Sequence, residues 1–278
     1  MADRAPYRVA LVGIDGSGKT AVAQGLAARA AGSGHRGDLA VLHAVRPHEN
    51  GEGPARQLSR HLHRVSLVAD QLGSPELKIG TYYLQLRTYS SVERHVRDRR
   101  QPRVILAERH PLIDTMVYLP LYGRMAAARP SDAISPDEFA RQAATVGPLA
   151  MRAVLDWAER VGAGRDLWLL GRRLLALHDL PPELLLKEFR KLMRTELPHK
   201  IILLDIGVEQ ALARIAGRRQ GAEMHETGAR LAAVRDRYDL VLGWLADARG
   251  VPVLRIGNNG TPVARTVDVI YSGLTEGR

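Results

Sequence analysis

Near-continuous apolar runs recur along the chain at Arg8–Gly13, Leu39–Val45, Arg103–Ala107, Lys200–Ile206 and Val251–Ile256. A strand covered on both faces loses the in–out alternation of a half-exposed one, so these runs predict buried parallel strands. Stretches with helical periodicity separate them. Gly18–Ala31 predicts a helix that ends in the Gly-rich turn AGSGHRGD. Ser74–Arg100 reads as mostly helical after its Ser-Pro start, Thr227–Arg249 as a long amphipathic helix, and Pro262–Leu274 as the last helix. Strands alternating with helices imply a three-layer α/β domain around a five-stranded parallel sheet.

The stretch between Ala107 and Lys200 breaks this rhythm, because a simple crossover needs far fewer residues. Pro136–Val161 and Pro181–Leu197 have helical periodicity and start at Pro or near it, and Gly162–His178 also reads as helical. The expectation is one domain over residues 1–278, with a helical insertion at about 121–197 between the third and fourth strands. Two uses suit such an insertion, a cap over a binding site or a homodimer face. A third reading is an elaboration that only thickens the fold.

Composition narrows the classes. The chain has no cysteine, which excludes disulfides and thiolate metal sites. No run of about 18 apolar residues predicts a membrane span, and the first residues show no secretory h-region. The expectation is therefore a soluble cytoplasmic protein without a membrane partner. The formal charge of +10 admits a nucleic-acid partner, but no nucleic-acid motif accompanies it. Most of the basic residues are Arg, and a site handling several phosphates needs Arg as well.

The chemistry is carried by Gly13-Ile-Asp-Gly-Ser-Gly-Lys-Thr20, which follows the first apolar run and matches G-x-x-x-x-G-K-[ST] in full. Glycines let backbone N–H groups converge on phosphate oxygens without Cβ clashes. The next helix points its positive end at the anion. Gly13, Asp15, Gly16, Ser17, Gly18, Lys19 and Thr20 are thus the candidate ATP cradle, with Lys19 on the β- and γ-phosphates and the Thr20 hydroxyl on Mg²⁺. The fold class this implies is the three-layer P-loop NTPase fold.

The loop GIDGSGKT carries an acidic residue between its glycines, and in this it resembles the thymidylate kinase and deoxynucleoside kinase group. VILAERHPLIDTMVY is similar to the group's strand-end motif, an Asp-Arg or Glu-Arg pair after an apolar strand. The Glu-Arg form, with Asp114 following, is more similar to the deoxynucleoside kinases. YYLQLRTYSSVERHV resembles the helix lining the acceptor pocket, with Arg87 ahead of Arg109 at a spacing like that in the thymidylate kinases. LLDIGVEQALARIAGRRQGAE resembles the fourth strand, its helix and an Arg-rich lid at about 214–226, and RLAAVRDRYDLVL the helix after it. The resemblance covers roughly 1–120 and 198–278, fails across the insertion, and implies an ATP-dependent kinase of a small-molecule acceptor.

Glu108 and Arg109 stand at the carboxyl edge of the predicted sheet, where open α/β sheets bind ligands. Glu108 is a candidate metal or proton acceptor site, and Arg109 a candidate for neutralising phosphoryl charge; a strand-end salt bridge is the plain alternative. Arg214, Arg218 and Arg219 are candidates for lid charge, Arg214 toward the nucleotide and the other two toward catalysis. Asp15, Arg46, Glu49, Arg87 and Arg109 are the candidate acceptor residues. In the resemblance, Asp15 faces the acceptor sugar. Arg46–Glu49 reads Arg-Pro-His-Glu, which matches neither the base Glu of the deoxynucleoside kinases nor the Arg-Glu-Pro-Gly loop of the thymidylate kinases. A hydroxyl acceptor gains from a carboxylate and a phosphate acceptor from Arg, so Glu49 and Arg87 leave both open.

Other residues carry two readings. His43, His48, His61 and His63 show no metal spacing, and the latter two fall on a helix surface. Tyr82, Tyr83 and Tyr89 suit core packing as well as base stacking. Asn258–Asn259 suits a plain turn as well as a nucleotide wrap. The functional expectation is a kinase of a nucleoside or nucleoside monophosphate. A kinase of a sugar-like or specialised metabolite is the alternative, and a nucleotide-dependent switch is a different class that the Arg-rich lid argues against.

Overall fold

The computed structural model describes residues 5–32, 38–50, 53–128, 141, 144–217 and 227–275. Its strands are β1 (Tyr7–Val12), β2 (Leu39–His43), β3 (Val104–Glu108), β4 (Lys200–Asp205) and β5 (Val253–Gly257). Helices α1 (Lys19–Gly32), α2 (Arg56–Gln71), α3 (Pro75–Leu86) and α4 (Tyr89–Arg100) precede β3. Between β3 and β4 come α5 (Pro111–Ala127), α6 (Pro148–Arg160), α7 (Leu167–Leu175) and α8 (Pro182–Met193). Helices α9 (Val208–Ala216) and α10 (Gly228–Arg249) lead to β5, and α11 (Val263–Thr275) follows it.

The chain divides into two compact units. One contains the residues up to His43, Glu93–His110 and those from Glu196 onward; the other contains Ala44–Val92 and Pro111–Thr195. The first unit holds the sheet, all parallel, in the order β2-β3-β1-β4-β5. This is the five-stranded sheet that the apolar runs imply. Val9 and Leu11, Val104 and Leu106, and Ile202 and Leu204 share one sheet face, packed against Val22, Leu26 and Ala30 of α1 and Val267, Ile270 and Leu274 of α11. Ala10, Val12, Ile105, Ala107, Ile201 and Leu203 are buried on the opposite face. With both faces dry, alternation disappears, which is why the strands read as continuous runs. Helix α10 buries Leu231, Val234, Tyr238, Val241, Leu242 and Leu245. Its Arg235 pairs with Asp205 of β4 at 3.1 Å.

The second unit is helical. Ser74 caps α3, accepting from Leu77 N at 3.3 Å, and Asp166 caps α7, accepting from Leu169 N at 2.8 Å; each satisfies an orphan donor of the first turn. Helices α3 and α7 approach closely: a Cβ on Gly171 would lie 1.9 Å from Glu76 O, so only glycine fits. Trp157 of α6 donates Nε1–H to Leu84 O at 3.1 Å. A buried ion pair joins Lys78 to Asp70, and Tyr82 donates to Asp114 of α5 at 2.5 Å.

Several elements differ from the sequence expectation. Ser74–Arg100 is mostly helical, as expected, but in two helices separated at Arg87–Thr88, where the Thr88 hydroxyl donates to Gln85 O at 2.7 Å. Helix α2 was absent from the expectation; its first flanking residue, Ala55, is left-handed (φ 66) and carries no capping side chain, so no start signal exists. Leu121, the expected start of the insertion, falls inside α5, which runs through Pro120. Within Pro136–Val161 the helix Pro148–Arg160 is described, and Arg141 and Ala144 ahead of it are also helical; residues 136–140 and 142–143 lie outside the described residues. Among the described residues no helix is long and apolar enough to cross a membrane.

His110, directly after the strand-end pair, is 1 % exposed. Burial first, and then the nearby charge of Arg8, push its pKa down to about 3, against a smaller opposing effect of a backbone contact with Glu196. Its neutral form is therefore the one that folds. The resulting stability is complete above the unfolded value of about 6.5 and is lost as pH falls toward the folded value, by up to about 1.4 kcal/mol per pH unit. His110→Leu is expected to flatten the dependence of urea-derived stability on pH between about pH 6 and 5. An unchanged slope in the variant would exclude a buried neutral His110.

Candidate active site

In the sheet unit, β1 ends at Val12 and the chain enters the Gly13–Thr20 loop before α1 begins at Lys19. Gly16 has φ 82, and a Cβ there would sit 2.5 Å from Ala211 O of α9. The loop therefore needs glycine at this position for both backbone angle and space. Lys19 is 5 % exposed. Its Nζ donates to Gly13 O and Ile14 O, both at 2.8 Å, and lies 3.8 Å from Asp15 Oδ1. The ammonium is thus folded over the loop's own carbonyls, with donors that an anion in the loop could recruit.

Below the loop, the parallel register brings three residues together. Leu11 of β1 and His43 of β2 are both register partners of Glu108, the last residue of β3. Thr20 donates its hydroxyl to Glu108 Oε1 at 2.6 Å, and His43 Nδ1 pairs with Oε2. Burial works to raise the Glu108 pKa, but the hydrogen bond and charge of His43, the Thr20 hydroxyl and the Lys19 charge together hold it down to about 2. An ionised carboxylate beside an exposed threonine hydroxyl is an all-oxygen donor pair, which suits a hard divalent cation held directly or through water.

Arg109 follows in the left-handed region (φ 66). Its N–H bonds Leu11 O at 2.9 Å, and its guanidinium pairs with Asp15 of the loop. This reversal after β3 swings a cation onto the loop rather than continuing the strand. The bridge is long-range, to a residue of the phosphate loop, and not a local one within the strand end.

Two residues brace the loop from behind. Asn258, 1 % exposed, donates Nδ2–H to Ser17 O at 2.6 Å. Arg214 of α9 donates to Gly16 O at 3.3 Å and to Asn258 O at 2.8 Å. Asn258 is therefore more than a turn residue, and Arg214 faces loop carbonyls. Arg218 and Arg219 lie outside the described residues.

The sheet unit thus gathers Gly13–Thr20, Glu108, Arg109 and Arg214. Arg46, Glu49 and Arg87 belong to the helical unit. Arg46 precedes the short 3-10 turn Pro47–Glu49 and Glu49 ends it, and the two pair with each other at 3.5 Å. Arg87 is buried at the end of α3. His61 and His63 are half-buried on α2 rather than on its surface. Tyr83 and Tyr89 are core residues. Sequence reasoning missed His43, whose only signal is that it ends an apolar run adjacent, in a parallel sheet, to the run ending at Glu108.

The sheet order and the glycine loop together define a three-layer α/β fold with a phosphate-binding loop. No family model matches the chain, and no curated protein matches it. Among solved structures, the deoxyadenosine kinase from M. mycoides with products dCMP and a flexible dCDP has 12% identity and a TM-score of 0.50, over 97% of this chain and 99% of that one. The same kinase with dCTP gives 12% identity and a TM-score of 0.49, over 97% and 99% of the two chains; with dATP the values are 11% and 0.48, over 96% and 98%. At this identity the first of these similarities establishes a shared fold over nearly the whole of both chains.

Arg214→Ala removes two charge-assisted bonds to the loop side, each worth about 1.5–3 kcal/mol. We expect ATP affinity to fall by about tenfold or more in a titration with a fluorescent ATP analogue. Wild-type affinity in the variant would mean that Arg214 does not shape the loop.

Proposed function

We propose that this chain is a magnesium-dependent phosphotransferase that moves the γ-phosphate of ATP to a small-molecule acceptor, a nucleoside or nucleoside monophosphate. The observation that carries this reading is the Thr20–Glu108 hydrogen bond beneath a complete phosphate loop. It couples the motif's hydroxyl to an ionised carboxylate at the carboxyl edge of the sheet, the pair that would hold a phosphate-bound Mg²⁺. MgATP, when bound, supplies an electrophilic phosphorus and a good leaving group. In this reading the loop amides and Lys19 hold the phosphates, and Thr20 and Glu108 hold the metal. Asp15 keeps Arg109 aimed at the loop until an anion or acceptor competes for it. Arg218 and Arg219, in the Arg-rich segment 214–226, are assigned to the charge spread over the transferring group. The shared fold with a deoxyadenosine kinase supports the nucleoside class. Acceptor contacts are assigned to Asp15, Arg109, Arg46, Glu49 and Arg87.

The Arg46–Glu49 pair favours keeping a second acceptor class, a sugar-like or specialised metabolite, because its order Arg-Pro-His-Glu fits neither kinase pattern. ADP release measured against deoxynucleosides, nucleosides, their monophosphates and sugar alcohols separates the classes, and DNA and RNA serve as the nucleic-acid arm. Turnover with no member of the panel above the water background would end the kinase reading.

Two variants test the site. Lys19→Ala removes a charge that follows the phosphoryl group, so kcat should fall by on the order of 10² or more with folding intact; wild-type turnover would contradict the assignment. His43→Leu removes the strongest influence that keeps Glu108 ionised, leaving burial to raise its pKa. Activity that needs the carboxylate is present above that pKa and lost below it. The acid limb of the rate profile should therefore lie at higher pH in the variant than in the wild type, and coincident limbs would exclude an ionised Glu108 from the reaction.

A further inference from the structure

Glu108 ends β3 with its two carboxylate oxygens engaged from different elements. The Thr20 hydroxyl, in the first turn of α1, donates to Oε1 at 2.6 Å. His43, the last residue of β2, pairs with Oε2 through Nδ1. An ionised carboxylate can only accept, so Nδ1 carries the proton and is the donor. Both partners are fixed by the fold before any ligand arrives. His43 and Glu108 are register partners in adjacent parallel strands. They are 7 % and 8 % exposed, so close packing restrains both side chains. A site that needed only a negative charge beside Thr20 would be served by the carboxylate alone. The imidazole adds a constraint on how that carboxylate is turned.

We infer that His43 is a positioning residue that selects the cation, holding Glu108 so that it offers a divalent ion one oxygen and not two. This role rests on the proposed reading of Thr20 and Glu108 as the metal-holding pair. Ca²⁺ takes about six to eight oxygens in loose geometry and readily accepts a carboxylate through both oxygens at once. Mg²⁺ demands a near-octahedral shell, which the narrow bite of a two-oxygen grip distorts, and it keeps several of its waters. To grip an ion with both oxygens, Glu108 would have to turn and break its bond to His43 or to Thr20. Turning away from His43 would leave the buried Nδ1–H without its acceptor, which opposes the movement. Ligation through one oxygen, directly or through water, needs no such turn. The clamp therefore penalises the larger, more highly coordinated ion and spares the smaller one. β2 contributes this selectivity without touching the ion, as an outer hydrogen-bond partner orients a metal ligand.

Cation affinity, rather than turnover, tests this. Mn²⁺ is bound to the full chain with a non-hydrolysable ATP analogue and followed by its EPR signal, at a pH above the acid limb of the rate profile in every variant. Mg²⁺ or Ca²⁺ then displaces it, with the analogue alone as the control for its own preference. His43→Leu frees the second oxygen of Glu108. Ca²⁺ should therefore displace Mn²⁺ at about tenfold lower concentration than in the wild type, while the Mg²⁺ curve stays within about twofold. His43→Asn returns an N–H near the position of Nδ1 and should restore the wild-type ratio. His43→Val, suited to a strand, supplies the same arm if His43→Leu does not fold. An unchanged Ca²⁺ to Mg²⁺ ratio in His43→Leu or His43→Val, an equal loss of both ions, or a ratio in His43→Asn that follows His43→Leu would each overturn the role of His43. Those outcomes leave the metal-holding pair in place. If the wild-type chain with the analogue binds no Mn²⁺ at all, the pair itself fails, and the role of His43 and the phosphotransferase reading fall together.

Discussion

A buried carboxylate is the constraint on which the sheet unit turns. Taking the Glu108 anion out of water costs several kcal/mol unless it is paired and hydrogen-bonded. Its offsets come from three elements: the hydroxyl of Thr20 on α1, the imidazole of His43 on β2, and the ammonium of Lys19 in the loop. Each contact demands a register. His43 reaches Glu108 because β2 and β3 run parallel and in step, and Thr20 reaches it because β1 feeds the loop alongside β3. A slip of one residue would turn the carboxylate to the other face of the sheet. The alignment of the strands and the placement of the site are thus one condition.

The loop is held from its other side by groups far away in sequence. Asn258 and Arg214 bind its carbonyls, and Asp15 binds Arg109. Preorganisation of this kind lowers the reorganisation needed when charge arrives, and it is built almost wholly from side chain to backbone bonds rather than from apolar packing.

Sequence exposed those parts of the molecule whose physics is local. The five strands were legible because burial on both faces erases alternation, and the phosphate loop because its glycines and lysine act within one turn. Glu108–Arg109 was legible as an acidic-basic pair ending an apolar run. The rest depends on long-range placement. His43 ends another run, and nothing in either run says that the two will lie side by side. Asn258 looked equally like a turn because its partner, Ser17, lies at the other end of the chain. Arg214 shares helical spacing with Arg218, which pointed it to the lid, whereas its contacts are with Gly16 and Asn258. Helix α2 begins at a left-handed alanine without a cap and presents polar residues to most of its surface, so no local cue marks its start. Arg87 was legible as a candidate ligand residue, but not its burial at the end of α3, because what covers it comes from the fold of the helical unit.

The strand order also governs how the chain can be built. β1 is central, and its neighbours are β3 and β4, the second of which begins only at Lys200. At synthesis rates of about 5–20 residues per second, the central strand waits roughly 10–40 s for its last partner. Throughout that interval Val9 and Leu11 have no completed core, and the glycine loop has neither Asn258 nor Arg214 behind it. Nascent chains of this protein should therefore depend on holding chaperones until translation has passed β4, and a pause in translation before that point should favour aggregation more than one after it.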